Sequence, residues 1–363
     1  MKIKVLFLAL ACFPFELSAI EWWGKELSSL RYIMPTEGFL RLSDQHQETI
    51  YLGLKDFGVD KIVFKNRELV REKTYRFQDI IDSSVGLQSL CLHRNFLIVS
   101  GIQDGFLALD LTTDYPSDRS KRHEIVFKPD EKLIVRSSAL KALRWRDYLL
   151  FLTADQLVIA EMTSAIDFQI RAAIPLAPKK EQWRDYWATE MALHDDDLYL
   201  LIAHEREPVI GYIRLPVLKN EPFHPRSLNL SYVELPAERY YLKSMIFLDG
   251  MLYVSQNKAL LIFEIGSDGK PKITNIQNYR YFIERVIGIT ERRPGPDIGF
   301  IGLGLSFWQA GFAFFKKGNL SKEDSILFPP KTLRQIEVEG DLLFGSAGEE
   351  GFVVYQKYSH SVP

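Results

Sequence analysis

The chain has many residues able to do chemistry, but few are spaced as a reaction requires. His194, Asp195, Asp196 and Asp197 stand in a row and carry ligand atoms for a metal. They fall where two apolar runs are joined, however, so a solvated turn is the better reading. His204 and Glu205 open like a zinc-protease helix, yet Arg206, Glu207 and Pro208 supply neither the second histidine nor a helix. Gly299, Gly302 and Gly304 approach the spacing of a phosphate-binding loop, but no helix signal follows to bring its N-terminus to an anion. Ser267-Asp268-Gly269 reads as an ordinary turn. With seven histidines and many serines, no Ser-His-Asp set is singled out. The expectation is therefore no metal, no cofactor and no recognisable catalytic signature.

Two other patterns carry more information. Six polar residues enter successive apolar runs at comparable places: Gln88, Lys141, Glu190, Lys243, Arg285 and Arg334. Four are cationic, so if the fold gathers them they favour a carboxylate, a phosphate or an acidic sugar. Glu190 is the candidate general acid or base among them, although a carboxylate surrounded by cations suits electrostatic stabilisation better than acid catalysis. Three segments feeding these runs, at 179–187, 238–241 and 279–285, mix tyrosine, tryptophan and arginine. Those types dominate binding hot spots, which marks Trp183, Arg184, Trp187, Arg239, Tyr240, Arg280 and Tyr281 as a partner surface. Aromatic residues interleaved with basic ones also occur on nucleic-acid platforms, but a leader for export and a net charge of -2 argue against that partner.

The elements that must position these residues repeat. A turn, an apolar run, a second turn and another apolar run recur at residues 50, 97, 149, 198, 252, 299 and 342. The spacing runs from about 43 to 54 residues, the period of propeller blades. Asn95, Asp147, Asp196, Asp249 with Gly250, and Gly340 with Asp341 supply hairpin turns ahead of the middle runs. A more polar fourth run follows most copies, at 74–77, 124–128, 167–174, 229–235 and 325–328. The last copy lacks one. An N-terminal strand around Leu30 to Met34 is expected to complete it, removing the exposed edges of an open array. The expected fold is all-β: a seven-bladed β-propeller of four-stranded antiparallel blades, one domain over 20–363, with the first strands lining the central channel.

The runs FLALDL at 106–111, LVIAEM at 157–162 and LLIFEI at 260–265 resemble the repeats of LVIVD-type bacterial surface propellers. Asp110 keeps the terminal aspartate of that pattern, Glu161 and Glu264 replace it with another acid, and Lys65, Arg214 and Gln356 depart from it. The resemblance implies a propeller fold and an exported protein, and no particular activity.

Residues 1–19 place Lys2 and Lys4 before an apolar run and end on small residues, the pattern of a signal peptide cleaved after Ala19. A rival reading has Ala9-Leu10-Ala11-Cys12 as a lipoprotein signal, with Cys12 lipidated as the one membrane attachment. The remaining cysteine, Cys91, lies in an apolar run and reads as a small buried hydrophobe. Asn229 and Asn319 head glycosylation sequons that matter only in a eukaryotic secretory route. Two functions follow. One is an exported, non-enzymatic binding or scaffold protein that takes a protein partner or an anionic small molecule or glycan. The other is a hydrolase or lyase acting on an anionic substrate at the channel mouth.

Overall fold

The computed structural model describes residues 23–32, 38–43, 47–54, 58–76, 87, 89–102, 105–112, 122–125, 139–162, 168–177, 186–204, 207–215, 228–236, 242–248, 250–279, 283–291, 298–305, 312–316, 325–327, 335–339, 342–348 and 351–357. Among them, 28 strands pair into seven four-stranded antiparallel sheets. After β1 (Trp23–Leu30), blade 1 holds β2 (Phe39–Ser43), β3 (Glu48–Leu54), β4 (Gly58–Lys65) and β5 (Glu68–Arg76). Blade 2 holds β6 (Ser89–His93), β7 (Phe96–Ile102), β8 (Gly105–Asp110) and β9 (Arg122–Ile125). Blade 3 holds β10 (Ala139–Trp145), β11 (Tyr148–Thr153), β12 (Gln156–Met162) and β13 (Phe168–Pro175). Blade 4 holds β14 (Trp187–His194), β15 (Asp197–Ala203), β16 (Val209–Arg214) and β17 (Ser231–Glu234). Blade 5 holds β18 (Leu242–Leu248), β19 (Met251–Gln256), β20 (Ala259–Ile265) and β21 (Pro271–Asn278). Blade 6 holds β22 (Ile283–Glu291), β23 (Ile298–Leu305), β24 (Phe312–Lys316) and β25 (Ser325–Leu327). Blade 7 holds β26 (Gln335–Glu339), β27 (Leu342–Ser346) and β28 (Phe352–Lys357), with β1 as its outer strand.

Successive blades touch through their first strands, β2 against β6 and so on round to β22 against β26. The ring closes between blades 7 and 1. There the Phe39 N–H donates to Gln335 Oε1 at 3.1 Å, and Gln335 Nε2 donates back to the Phe39 carbonyl at 3.0 Å. Arg41 on β2 reaches Glu337 and Glu339 on β26 at 3.1 Å each.

Closure uses Trp23–Leu30, not the expected stretch around Leu30 to Met34. An outer propeller strand is covered on one side only, so it alternates instead of forming an apolar block. Leu27 and Leu30 of this polar strand pack against the cluster of Phe39, Ile50, Phe344 and Phe352 that joins blades 7 and 1. The start of β28 must let β1 come close. Gly351 has φ +99, and a Cβ there would sit 1.9 Å from the Leu30 carbonyl oxygen.

The core is a series of layers between blades rather than one central mass. Leu150, Leu152, Met191 and Leu200 belong to the layer between blades 3 and 4, and Tyr199, Met245 and Phe263 to that between blades 4 and 5. Middle strands are covered on both faces, which is why they read as unbroken apolar runs; Leu198 through Ala203 are all buried. Blade 5 has an outer strand, β21, that has no apolar block and that sequence patterning missed: Ile273 packs inward while Ile276 is exposed. In blade 1, β5 starts at Glu68, ahead of the run at 74–77, because Asn66 and Arg67 both take positive φ (52 and 67) and make the tight turn.

In blades 2, 3 and 4 the turns between first and middle strands are tight, as expected, with the left-handed residue one place earlier than Asn95, Asp147 and Asp196: it is Arg94, Arg146 and Asp195, at φ 53, 54 and 51. In blade 5 it is Gly250, at φ +79, while Asp249, Gly340 and Asp341 lie outside the described residues. No helix among the described residues is long and apolar enough to cross a membrane.

Candidate functional site

The innermost strands of four blades carry a bulge close to their entry. The register slips between Ala139 and Lys141, Ala188 and Glu190, Leu242 and Ser244, and Ile283 and Arg285. Such bulges at the entry re-aim side chains and mark a functional rim in many sheets. Lys141, Glu190 and Arg285 directly follow their bulges and so occupy one equivalent position. Lys243 is itself the bulged residue of β18, where blades 3 and 4 have Leu140 and Thr189.

Counting back from the turns, Ser89 and Gln335 take the Lys141 position in blades 2 and 7. Gln88 and Arg334, one residue earlier, lie outside the described residues. The four described members, Lys141, Glu190, Lys243 and Arg285, therefore occupy two registers one residue apart, and an offset of one changes the face a side chain presents. Without the bulges in view, the sequence gives no means of separating the two.

At the shared position, polar side chains join blades. Lys141 Nζ pairs with Glu190 Oε1 across the seam between blades 3 and 4. The same ammonium donates to the Met191 carbonyl at 3.1 Å, while Glu190 Oε1 accepts the Met191 N–H at 2.9 Å. Both side chains are about a quarter exposed, at 28% and 21%. Gln335 does the equivalent work in the Phe39 clamp. The rim is thus locally neutral between blades 3 and 4; Lys243 and Arg285 lie on the first strands of blades 5 and 6.

Trp187 is three residues before Glu190 on β14. Its relative exposure is 42%, whereas its neighbours Tyr186 and Ala188 are at 4% and 3%. The strand entry is held firmly: the Ala188 N–H donates to the Ala154 carbonyl of blade 3 at 3.0 Å. Tyr186 stacks on His204 with ring centroids 4.2 Å apart, and its hydroxyl donates to Glu207 Oε2 at 3.4 Å. His204 Nδ1 accepts the Glu207 N–H at 2.9 Å. His204, which lacks the partners of a zinc ligand, has this role instead; local sequence does not signal it, because the stacking partner is 18 residues away. Trp183, Arg184, Arg239, Tyr240, Arg280 and Tyr281 lie outside the described residues.

The other residues considered for chemistry have structural occupations. Asp195 and Asp196 form the turn between β14 and β15. Asp196 accepts from the Trp145 indole at 2.9 Å and from Arg146 at 2.8 Å, and Asp197 binds Arg214 at 2.7 Å. His194 stacks on Phe247, centroids 3.8 Å apart. Gly299, Gly302 and Gly304 lie in β23, within strand pairing. Asp268 Oδ1 accepts the Lys270 N–H at 3.0 Å in a turn where Gly269 takes φ +80. Cys91 is free and buried on β6, and burial pushes its thiol up to about 11.

No family model matches the chain, and no curated protein matches it in sequence. Its likeness is to solved structures. The WD40 β-propeller domain of Doa1 superposes with a TM-score of 0.58 at 7% identity, over 94% of this chain and 97% of that one. YCF48 bound to D1 peptide gives 0.54 at 11%, covering 96% and 98%. A catalytically inactive virginiamycin B lyase from Staphylococcus aureus with quinupristin gives 0.58 at 10%, covering 91% and 98%. At such identities the likeness shows the fold alone, and the protein is a β-propeller.

Proposed function

We propose that this propeller is an exported binding or scaffold protein, of the LVIVD-like surface type, that holds a partner against the face where the first strands of its blades begin. The observation carrying this reading is Trp187, a large indole left exposed on a strand entry that is otherwise buried, hydrogen-bonded and bulged. A rigid aromatic anchor three residues before Glu190 on the same strand, whose pair with Lys141 is neutral, offers area and a polar rim together, the arrangement of an interaction hot spot. Trp183, Arg184, Arg239, Tyr240, Arg280 and Tyr281 extend the same surface in this reading. Propellers of this architecture include YCF48 bound to D1 peptide, and that agrees with a binding role without specifying the ligand.

A photo-crosslinking residue at Trp187 tests the proposal in cells, with the same residue at Ile276 on the outer strand of blade 5 as control. One discrete adduct from position 187 and none from 276 is the expected result; equal patterns from the two sites overturn it. Lys243 and Arg285 are the residues through which an anionic ligand, a phosphate or an acidic sugar, would be held. Calorimetry on wild type and on Lys243→Ala with Arg285→Ala should show binding lost in the variant. Export is tested at the mature N-terminus: Ile20 is expected, and a lipid on Cys12 would instead tie the propeller to a membrane.

The fold also accommodates a lyase, so catalysis at this mouth is the second reading. Its candidate, Glu190, is engaged by Lys141 and by its neighbour's N–H. That favours a positioning or electrostatic role over proton transfer.

A further inference from the structure

We propose that the seam between blades 2 and 3 opens locally in mild acid, with His93 as the proton acceptor that opens it. His93 ends β6 and is only 1% exposed. Pairing between β6 and β7 is regular from Ser89 to His93, so Cys91 and His93 present the same face. That face packs on blade 3: Cys91 shares a cluster with Ala142, Leu149, Phe151 and Val158. Neither imidazole nitrogen of His93 has a hydrogen-bond partner among the described residues.

The charged groups around it are unevenly signed. Arg94 comes from the turn after β6, Arg144 from β10 and Asp147 from the turn after β10. A neutral imidazole tolerates such a seam; an imidazolium would bring two N–H donors without acceptors and a third cation beside two guanidiniums, against one carboxylate. Burial first, then Arg94 and Arg144, push the His93 pKa down, with Asp147 opposing. The closed seam therefore contributes its full stability above the pKa of an exposed histidine, about 6.5. That contribution is lost as pH falls from there towards the lowered value. Over this window the open form binds one more proton than the closed form, so the open fraction rises about tenfold per pH unit.

Cys91 reports the opening, because its thiol is buried in the same seam. In a Cys12→Ser chain, the rate of Cys91 modification by 4,4′-dithiodipyridine is measured from pH 7.5 to 4.5. Each rate is divided by that of the urea-unfolded chain at the same pH. The expected result is a rise of about tenfold per unit beginning near pH 6.5. His93→Phe should abolish the rise, and His93→Gln provides the neutral variant should the larger ring not be accommodated. A second reporter, Met245→Cys in a Cys12→Ser, Cys91→Ser chain, watches the seam between blades 4 and 5 and should show no such rise. A flat wild-type profile, a rise that persists in both His93 variants, or a parallel rise at position 245 overturns the proposal.

Discussion

The Lys141 ammonium of blade 3 is bound to the Glu190 carboxylate of blade 4, and each also hydrogen-bonds the Met191 backbone. Two residues that patterning marks as separate members of a charged ring are thus one clasp between blades. Its strength is accessible by a double-mutant cycle with Lys141→Met and Glu190→Gln, followed by urea unfolding. A partly exposed pair of this kind should show a coupling of about 1 kcal/mol, with the double variant close to the better single one. Zero coupling would mean that the two side chains act independently.

Asp60 is the one fully buried carboxylate among the described residues. It is fully buried on β4, with Arg71 Nε at 2.9 Å and the Thr74 hydroxyl donating at 2.6 Å. Tyr32, just beyond β1, lies against this carboxylate, and burial together with Asp60 raises its pKa; Arg71 stacks over the same ring at 4.7 Å. The network ties the closing strand to blade 1. Asp60→Ala leaves the Thr74 hydroxyl and the half-exposed Arg71 guanidinium without their acceptor and should destabilise by about 1–3 kcal/mol, read as a fall in the urea midpoint. Tyr32→Phe, which keeps the ring under Arg71 and removes a buried hydroxyl with no hydrogen-bond partner among the described residues, should change stability by less than about 1 kcal/mol.

Closure has a second vulnerable point in Gly351. An alanine there meets both a left-handed φ and the Leu30 carbonyl, so Gly351→Ala should destabilise by at least about 2 kcal/mol. Protection of the β1 and β28 amides in hydrogen exchange should fall before that of blade 4. Equal loss of protection throughout the ring would contradict a local origin.

The Arg41 clasp gives stability an acid-side dependence opposite in sign to that of His93. Burial raises the pKa of Glu337, with Glu339 and Glu48 adding to it and Arg41 opposing. A carboxyl with a raised folded pKa contributes stability that is fully present below its unfolded value, about 4.3, and lost as pH rises through the folded value. Glu337→Gln should therefore flatten the decline of the urea midpoint between pH 4 and 7 while keeping an acceptor for Arg41. An unchanged slope would show that Glu337 does not set it.

Much of this architecture was legible in the sequence because a propeller repeats one short-range rule. Middle strands buried on both faces write unbroken apolar runs such as that at 198–203, and tight turns write Asn, Asp or Gly between them. Outer strands obey no such rule. β1 and β21 are half-exposed and polar, so the closing strand was expected some residues late and the fourth strand of blade 5 was not seen.

The candidate site was legible only as residue types. Trp187 and the pair Lys141 and Glu190 could be selected as polar or aromatic residues entering blades, since that depends on composition at a repeated place. Whether two such residues share a register depends on a one-residue bulge with no compositional signature, and so Lys243 was aligned with Lys141 although Ser244 holds that position. The partners were beyond reach for a related reason. Lys141 meets Glu190 49 positions away, Phe39 meets Gln335 296 away, and Tyr186 meets His204 across a hairpin. Local pattern determined the middle strands and the number of blades, because each follows from neighbours in the chain. Pairing, neutralisation and exposure were decided only when the blades packed, because seam geometry, not sequence proximity, sets which charges meet and which indole stays in water.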